Sequence, residues 1–194
     1  MKKIKFVLLV LLAVILILPA CKKGENDPFI SLLSRKARLV GEWKLVEGST
    51  SVVSSTGTDT YTFDGTLMTS VESGVTTTVP YSETYTFEKD GNYKHSTIED
   101  NIDTWDEEGV WTFGAKSTEL NVKAGETVVL YNQKYTSVTS GNTFTYSYTG
   151  TTCPVTRITL DMLKSNKMTV KIDYIYSGTS NAFSKTGSIT YEKQ

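Results

Sequence analysis

From Val40 onward, large apolar side chains recur at every second position, with hydroxylic or charged residues between them. Tyr61 and Phe63 alternate with Thr60 and Thr62, and Tyr85 and Phe87 alternate with Thr84, Thr86 and Glu88. Phe144, Tyr146 and Tyr148 are separated by Thr145 and Ser147; Met168, Val170, Ile172 and Tyr174 are separated by Thr169, Lys171 and Asp173. A period of two places one face of an extended chain in an apolar interior and the other in water. Threonine, tyrosine and valine also fit a pleated surface. Between the runs stand Asp64-Gly65, Asp90-Gly91-Asn92, Glu108-Gly109, Ala124-Gly125, Ser140-Gly141-Asn142 and Ser177-Gly178, which read as hairpin turns. No helical pattern is interleaved, and that excludes a parallel α/β sheet. A meander this long must hide its edges, and closure does so. The expectation is an all-β fold, an antiparallel up-and-down barrel of about eight to ten strands with a short N-terminal helix; a two-sheet sandwich is the alternative.

Two segments fit the alternation poorly. Residues 48–59 are rich in Ser, Thr and Gly and read as a long loop. Residues 99–108 carry six carboxylates in ten positions and read as a solvated loop beside the barrel mouth. Ahead of the strands, Asp27-Pro28 offers a capping residue and a proline at the first helical position. Phe29, Ile30, Leu32, Leu33 and Ala37 follow at roughly helical spacing, and the spacing predicts a helix over 28–37.

The N-terminus constrains location. Lys2, Lys3 and Lys5 precede an apolar run from Phe6 to Leu18, followed by Pro19, Ala20 and Cys21. A basic start, an apolar core and a small residue before the cut form a secretory signal. The run of thirteen residues is short for a helix crossing about 30 Å of hydrocarbon. Leu18, Ala20 and Cys21 together resemble the lipobox of bacterial lipoproteins, with Pro19 an unusual occupant of the second slot. The resemblance implies a signal peptide over 1–20 and lipidation of Cys21. Residues 21–35 then hold the lipidated cysteine, a polar tether and the start of the short helix. The barrel domain occupies 36–194. The expected location is the cell envelope of a Gram-negative bacterium, with the membrane engaged through the lipid on Cys21. Lys22-Lys23 is not the aspartate that retains some lipoproteins in the inner membrane, so the outer membrane is favoured.

Removing the three leader lysines from 20 basic residues leaves 17 against 21 acidic, a net charge near −4. That argues against nucleic acid, which calls for a basic face. With Cys21 lipidated, Cys153 has no partner within the chain; a buried thiol and an intermolecular disulfide both stay open.

Leu39-Val40-Gly41-Glu42-Trp43-Lys44-Leu45 opens the strand region directly after the short helix, with Gly41 and Trp43 in a Gly-x-Trp arrangement. Tyr85 to Tyr93 follows with its Asp-Gly turn, then Gly109-Val110-Trp111-Thr112-Phe113, then Arg157 to Leu160 and Met168 to Ile172 as a closing hairpin. In order and spacing these pieces resemble bacterial lipocalin-like lipoprotein domains of the calycin type, over roughly 36–194. The resemblance implies that Gly41 and Trp43 plug one end of the barrel. Classical members pack an arginine from the last strand over that tryptophan, whereas 184–192 holds no arginine here.

A barrel of this size is filled by its own side chains or holds one small ligand. Tyrosines would give such a lumen apolar walls with hydroxyl handles. The candidate lining is Tyr61, Phe63, Tyr85, Phe87, Trp111, Phe144, Tyr146, Tyr148, Ile172 and Tyr174. The leading expectation is a membrane-anchored lipoprotein that binds a small apolar molecule in its lumen. The alternative is a packed, non-enzymatic accessory lipoprotein that binds another envelope protein through its loops. The loop at 48–59, the acidic run with Trp105 and the lone Cys153 motivate it. No nucleophile elbow, phosphate loop, EF-hand spacing or zinc-ligand cluster is present, and His95 is the single histidine. Neither catalytic residues, nor a metal, nor a cofactor is expected.

Overall fold

A computed structural model describes residues 33–118, 122–177 and 182–194, with only the backbone of Tyr176 and Ser177. The expected leader, Cys21, the expected tether and residues 28–32 of the expected helix lie outside these residues.

The helix α1 (Arg35–Leu39) is shorter and later than the spacing predicts, since Leu33 and Ser34 are not helical. Ser34 supplies the reason. Its backbone is extended and its hydroxyl accepts the Ala37 N–H at 3.1 Å, so it caps the helix and fixes its start.

Eleven strands follow: β1 (Gly41–Ser54), β2 (Gly57–Phe63), β3 (Leu67–Glu72), β4 (Val75–Phe87), β5 (Asn92–Glu99), β6 (Asp103–Phe113), β7 (Thr127–Thr139), β8 (Asn142–Ser147), β9 (Val155–Leu163), β10 (Lys167–Ser177) and β11 (Ala182–Lys193). All pairings between them are antiparallel. The ring closes as a ten-stranded barrel in which β8 is an extra strand on β7. Its circumference differs between the ends. At one end Gly41–Lys44 of β1 pair directly with Thr84–Phe87 of β4. Towards the other end the β2–β3 hairpin enters between β1 and β4, pairing with Gly48–Ser54 on one side and Val75–Pro80 on the other. The wall is therefore narrowest where β1 pairs with β4, eight strands round, and widens where the β2–β3 hairpin joins it.

Three expectations are corrected. Residues 48–59 are not a loop: β1 runs through them to Ser54 and β2 starts at Gly57. Threonine and valine at alternating positions make a pleated hairpin despite the low hydrophobicity. The acidic run 99–108 is likewise not a loop, because only Asp100–Ile102 turn and Asp103 already belongs to β6. Glu108-Gly109 is not a turn but the middle of β6. Gly109 lies opposite a bulge at Gln133, and a Cβ there would sit 2.0 Å from the Tyr131 carbonyl oxygen. The glycine lets β6 and β7 approach where the barrel wall bends.

The core fills the narrow end. Trp43, Phe87, Tyr93, Leu39, Leu45, Leu130, Leu163, Met168 and Val128 are its most completely buried large side chains. α1 covers this end. The Trp43 indole N–H donates to the Leu39 carbonyl at 2.7 Å. Arg38 donates to the Leu163 carbonyl at the end of β9. Lys193 of the last strand lies over the Trp43 ring, 5.1 Å from its centroid, and donates to the Arg38 carbonyl at 2.9 Å. A lysine thus occupies the place expected of an arginine. It passes over Gly41, whose φ is +137° and where a Cβ would meet the Lys193 Cε at 2.3 Å.

Candidate functional site

Antiparallel register stacks the inward residues of β4, β5, β6 and β7 into cross-strand rows. The lowest row is Phe87, Tyr93, Gly109 and Asn132, and Tyr93 donates its hydroxyl to the Asn132 side chain. The next is Tyr85, His95, Glu107 and Tyr135. Above it lie Glu83, Thr97, Trp105 and Ser137. The first row is packed core. The other two place a charged network inside the barrel.

His95 is its centre. Its Nε2 lies 3.1 Å from Glu83 Oε1 and its Nδ1 3.6 Å from Glu107 Oε2, while its ring stacks on Tyr85 at 4.1 Å between centroids. Burial opposes the charged imidazolium, but the hydrogen bonds and charges of Glu107 and Glu83 outweigh it and push His95 up to about 9. Glu83 also accepts from Tyr191 at 2.8 Å and from Tyr81 at 3.1 Å. Burial would raise its carboxyl, yet His95 and the two tyrosines hold it below the usual carboxylate range. Burial, helped by the Glu83 charge, pushes the Tyr81, Tyr85 and Tyr191 hydroxyls upward, so all three remain neutral donors at ordinary pH.

Both ring nitrogens of His95 thus face carboxylates, Nε2 at hydrogen-bond distance from Glu83 and Nδ1 near Glu107. Among the described residues, no group of three or more His, Cys, Asp or Glu is arranged to hold a metal ion. The network is built to keep a charge in place.

Glu83, Tyr81, Tyr85 and Tyr191 form part of the wall of a cavity of about 790 Å³. Phe63, Ile158, Leu160, Val170, Ile172 and Ile189 supply most of its apolar surface. Consecutive residues Arg157–Asp161 of β9 and Val170–Tyr174 of β10 all border it. Strand neighbours point to opposite faces, so a space touching consecutive residues passes between the strands. The β9–β10 ladder runs from Leu163–Met168 to Thr159–Lys171. Beyond that point β9 continues beside β7 and β10 beside β11, and the cavity reaches the surface through the seam between them.

Of the expected lining, Phe63, Tyr85, Ile172 and Tyr174 border this cavity. Phe87 and Trp111 lie in the packed core beneath it, edge to face at 5.6 Å. Tyr61 is half-buried on β2 and donates to Glu72 at 2.9 Å; burial and that carboxylate push its hydroxyl up to about 12. Phe144 and Tyr146 are each 53% exposed, and with Tyr148 they stand apart from the cavity lining. β8 continues the edge of β7 that β9 occupies lower down, with Phe144 opposite Ser137 and Tyr146 opposite Tyr135, and neither borders the cavity. Gly41 and Trp43 sit at the covered narrow end. Cys153 is half-buried at the end of a short 3-10 turn, Gly150–Thr152.

Aromatic alternation missed Tyr81, Glu83, His95, Glu107, Tyr191 and the cavity residue Thr50. The signal was parity. Glu83 shares the phase of Tyr85 and Phe87, His95 that of Tyr93, and Glu107 that of Trp111 and Phe113. A charged residue in phase with an aromatic face is a buried charge that needs a partner. Comparison of the chain with protein-family models and with curated proteins found no match.

Proposed function

We propose that the protein is a lipid-anchored envelope protein that holds a small, largely apolar molecule in the wide half of its barrel. The cavity of about 790 Å³ carries this reading. Ligand sites commonly enclose about 300–1,000 Å³, with apolar walls and a few polar groups that fix orientation. The packed narrow half gives that cavity a rigid floor, and the seam between β9 and β10 gives it an entrance. A charge held between two carboxylates suits orientation of a ligand better than proton transfer, so the proposed role is binding without catalysis. The plug at Trp43, the lysine over its ring and the order of strands support a lipocalin-like reading of the barrel. The leader and Cys21 support the anchor.

Native mass spectrometry of the full chain released from lipid nanodiscs tests it. The expected result is added mass that disappears on organic extraction. Ile172→Trp, which fills the lumen from one wall, should abolish the added mass while leaving the circular dichroism spectrum unchanged. An Ile172→Trp protein that retained its ligand would overturn the lumen assignment.

The accessory reading keeps one specific support. Apolar residues are exposed towards the wide end, among them Val75 at 65% and Ile175 at 76%. Two of its original motives are gone, because residues 48–59 and 99–108 are largely strand. Val75→Asp together with Ile175→Asp should abolish partner capture on that reading and leave the extracted ligand unchanged.

A further inference from the structure

On the proposal of a lumen ligand, we propose further that the ligand carries a positively charged, hydrogen-bond-donating head, an amine, seated against Glu83, with its apolar body along Phe63, Tyr85 and Ile172.

The first argument is charge. Two carboxylates, Glu83 and Glu107, flank one imidazolium, so the network has a net charge of −1. Glu83 is its member on the cavity wall and is itself only 8% exposed. The charged residues around the seam do not alter that balance: Arg157, Lys171 and Lys185 stand against Glu126, Asp161 and Asp173. A ligand that displaces water from Glu83 must therefore compensate a carboxylate in a region of low dielectric. A neutral apolar molecule does not, and an anion makes matters worse.

The second argument is independent. Thr50 of β1 borders the same cavity and is 4% exposed, and its hydroxyl has no hydrogen-bond partner among the described residues. Buried hydroxyls without partners are rare, and one in a cavity wall points to a group that arrives with the ligand. An ammonium brings three donors and no acceptor. It can serve the Glu83 carboxylate, whose Oε2 accepts only the Tyr81 hydroxyl among the described residues, while Thr50 offers an acceptor further along the same wall. The flanking rings of Tyr81, Tyr85 and Phe63 also suit a cation, since aromatic faces attract positive charge.

The test uses three probes of one shape: phenylpropylamine, phenylpropanol and phenylpropanoate. Each is titrated calorimetrically into the full chain in lipid nanodiscs at neutral pH, with empty discs subtracted. The amine should bind about tenfold tighter than the alcohol, and the acid weakest. In Glu83→Gln the amine should fall to the level of the alcohol, while the alcohol changes little. Should that variant not fold, Glu83→Asp keeps the charge but draws it back from the cavity, and should weaken the amine more than the alcohol. Equal binding of amine and alcohol by the unaltered chain, or preference for the acid, would overturn the amine assignment and leave the lumen reading standing. Binding of none of the three would overturn both.

Discussion

His95 shows how a charge is kept inside a barrel. Glu83 reaches it from β4, Glu107 from β6, and the Tyr85 ring lies against it; Tyr81 and Tyr191 act through Glu83. The folded state holds its proton up to about pH 9, against an ordinary value of 6.5. The stability it contributes is thus complete below 6.5 and is lost as pH rises through 9. Glu83 acts in the opposite sense: its lowered value contributes stability above the ordinary carboxylate range, lost on acidification. Tyr81, Tyr85 and Tyr191 are raised and stay neutral across the alkaline window, so they add little to the loss there. Unfolding free energies from urea titrations at pH 6 and pH 10 should differ by an amount on the order of a few kcal/mol, and His95→Gln should flatten that difference. A second residue-scale prediction concerns Lys193. Lys193→Met keeps the stem over Trp43 but removes the ammonium, and should cost about 1–2 kcal/mol in urea unfolding. Lys193→Arg should cost clearly less; equal losses would mean that the cation over the ring contributes nothing.

At the scale of elements, strand identity was legible wherever aromatic residues alternated and illegible where they did not. The hairpin through residues 48–59 offers Ser, Thr and Gly to the eye, yet Thr50 is 4% exposed because β2, entering between β1 and β4, continues the wall beside it. The acidic run became strand for a related reason. Glu107 pairs with His95 and Tyr135 across the sheet, while Asp106 and Glu108 face the other way. Neither fact can be read from a window of ten residues. Gly109 marks the cost of bending this wall. Gly109→Ala puts a methyl 2.0 Å from the Tyr131 carbonyl oxygen, so β6 and β7 must part or the Gln133 bulge must shift. The expected destabilisation is about 2 kcal/mol or more by chemical denaturation. A shift below about 0.5 kcal/mol would mean that the bulge absorbs the methyl freely.

For the whole molecule, the two halves of the lumen differ. The narrow end is solid, closed by α1, Trp43 and Lys193, and the wide end encloses the cavity. Stability should follow the same axis. In native-state hydrogen exchange, amides of Leu45, Phe87, Leu130 and Met168 should open only with global unfolding. Those near the Ser73-Gly74 and Ser140-Gly141 hairpins should exchange through local opening at far lower free energy. Uniform protection along β4 and β7 would contradict a packed half supporting an open one. The same division explains the fate of the candidate lining. Phe87 and Trp111 fell in the solid half, Phe63, Tyr85, Ile172 and Tyr174 in the open half, and Phe144, Tyr146 and Tyr148 away from the cavity lining.

The amino-acid order alone determined the all-β class, the antiparallel connections and the glycine before Trp43. Each depends on local chemistry: period-two alternation, turn residues with positive φ, and hydrophobicity along a short window. Only the tertiary structure decided how many strands surround each end, which tyrosines face the cavity, and that Glu83, His95 and Glu107 meet. Those outcomes depend on register and closure, which bring β1 against both β4 and β11. Parity names the face of each strand, but the axial height at which that face lies, in the core or in the cavity, is set by neighbours far away in sequence.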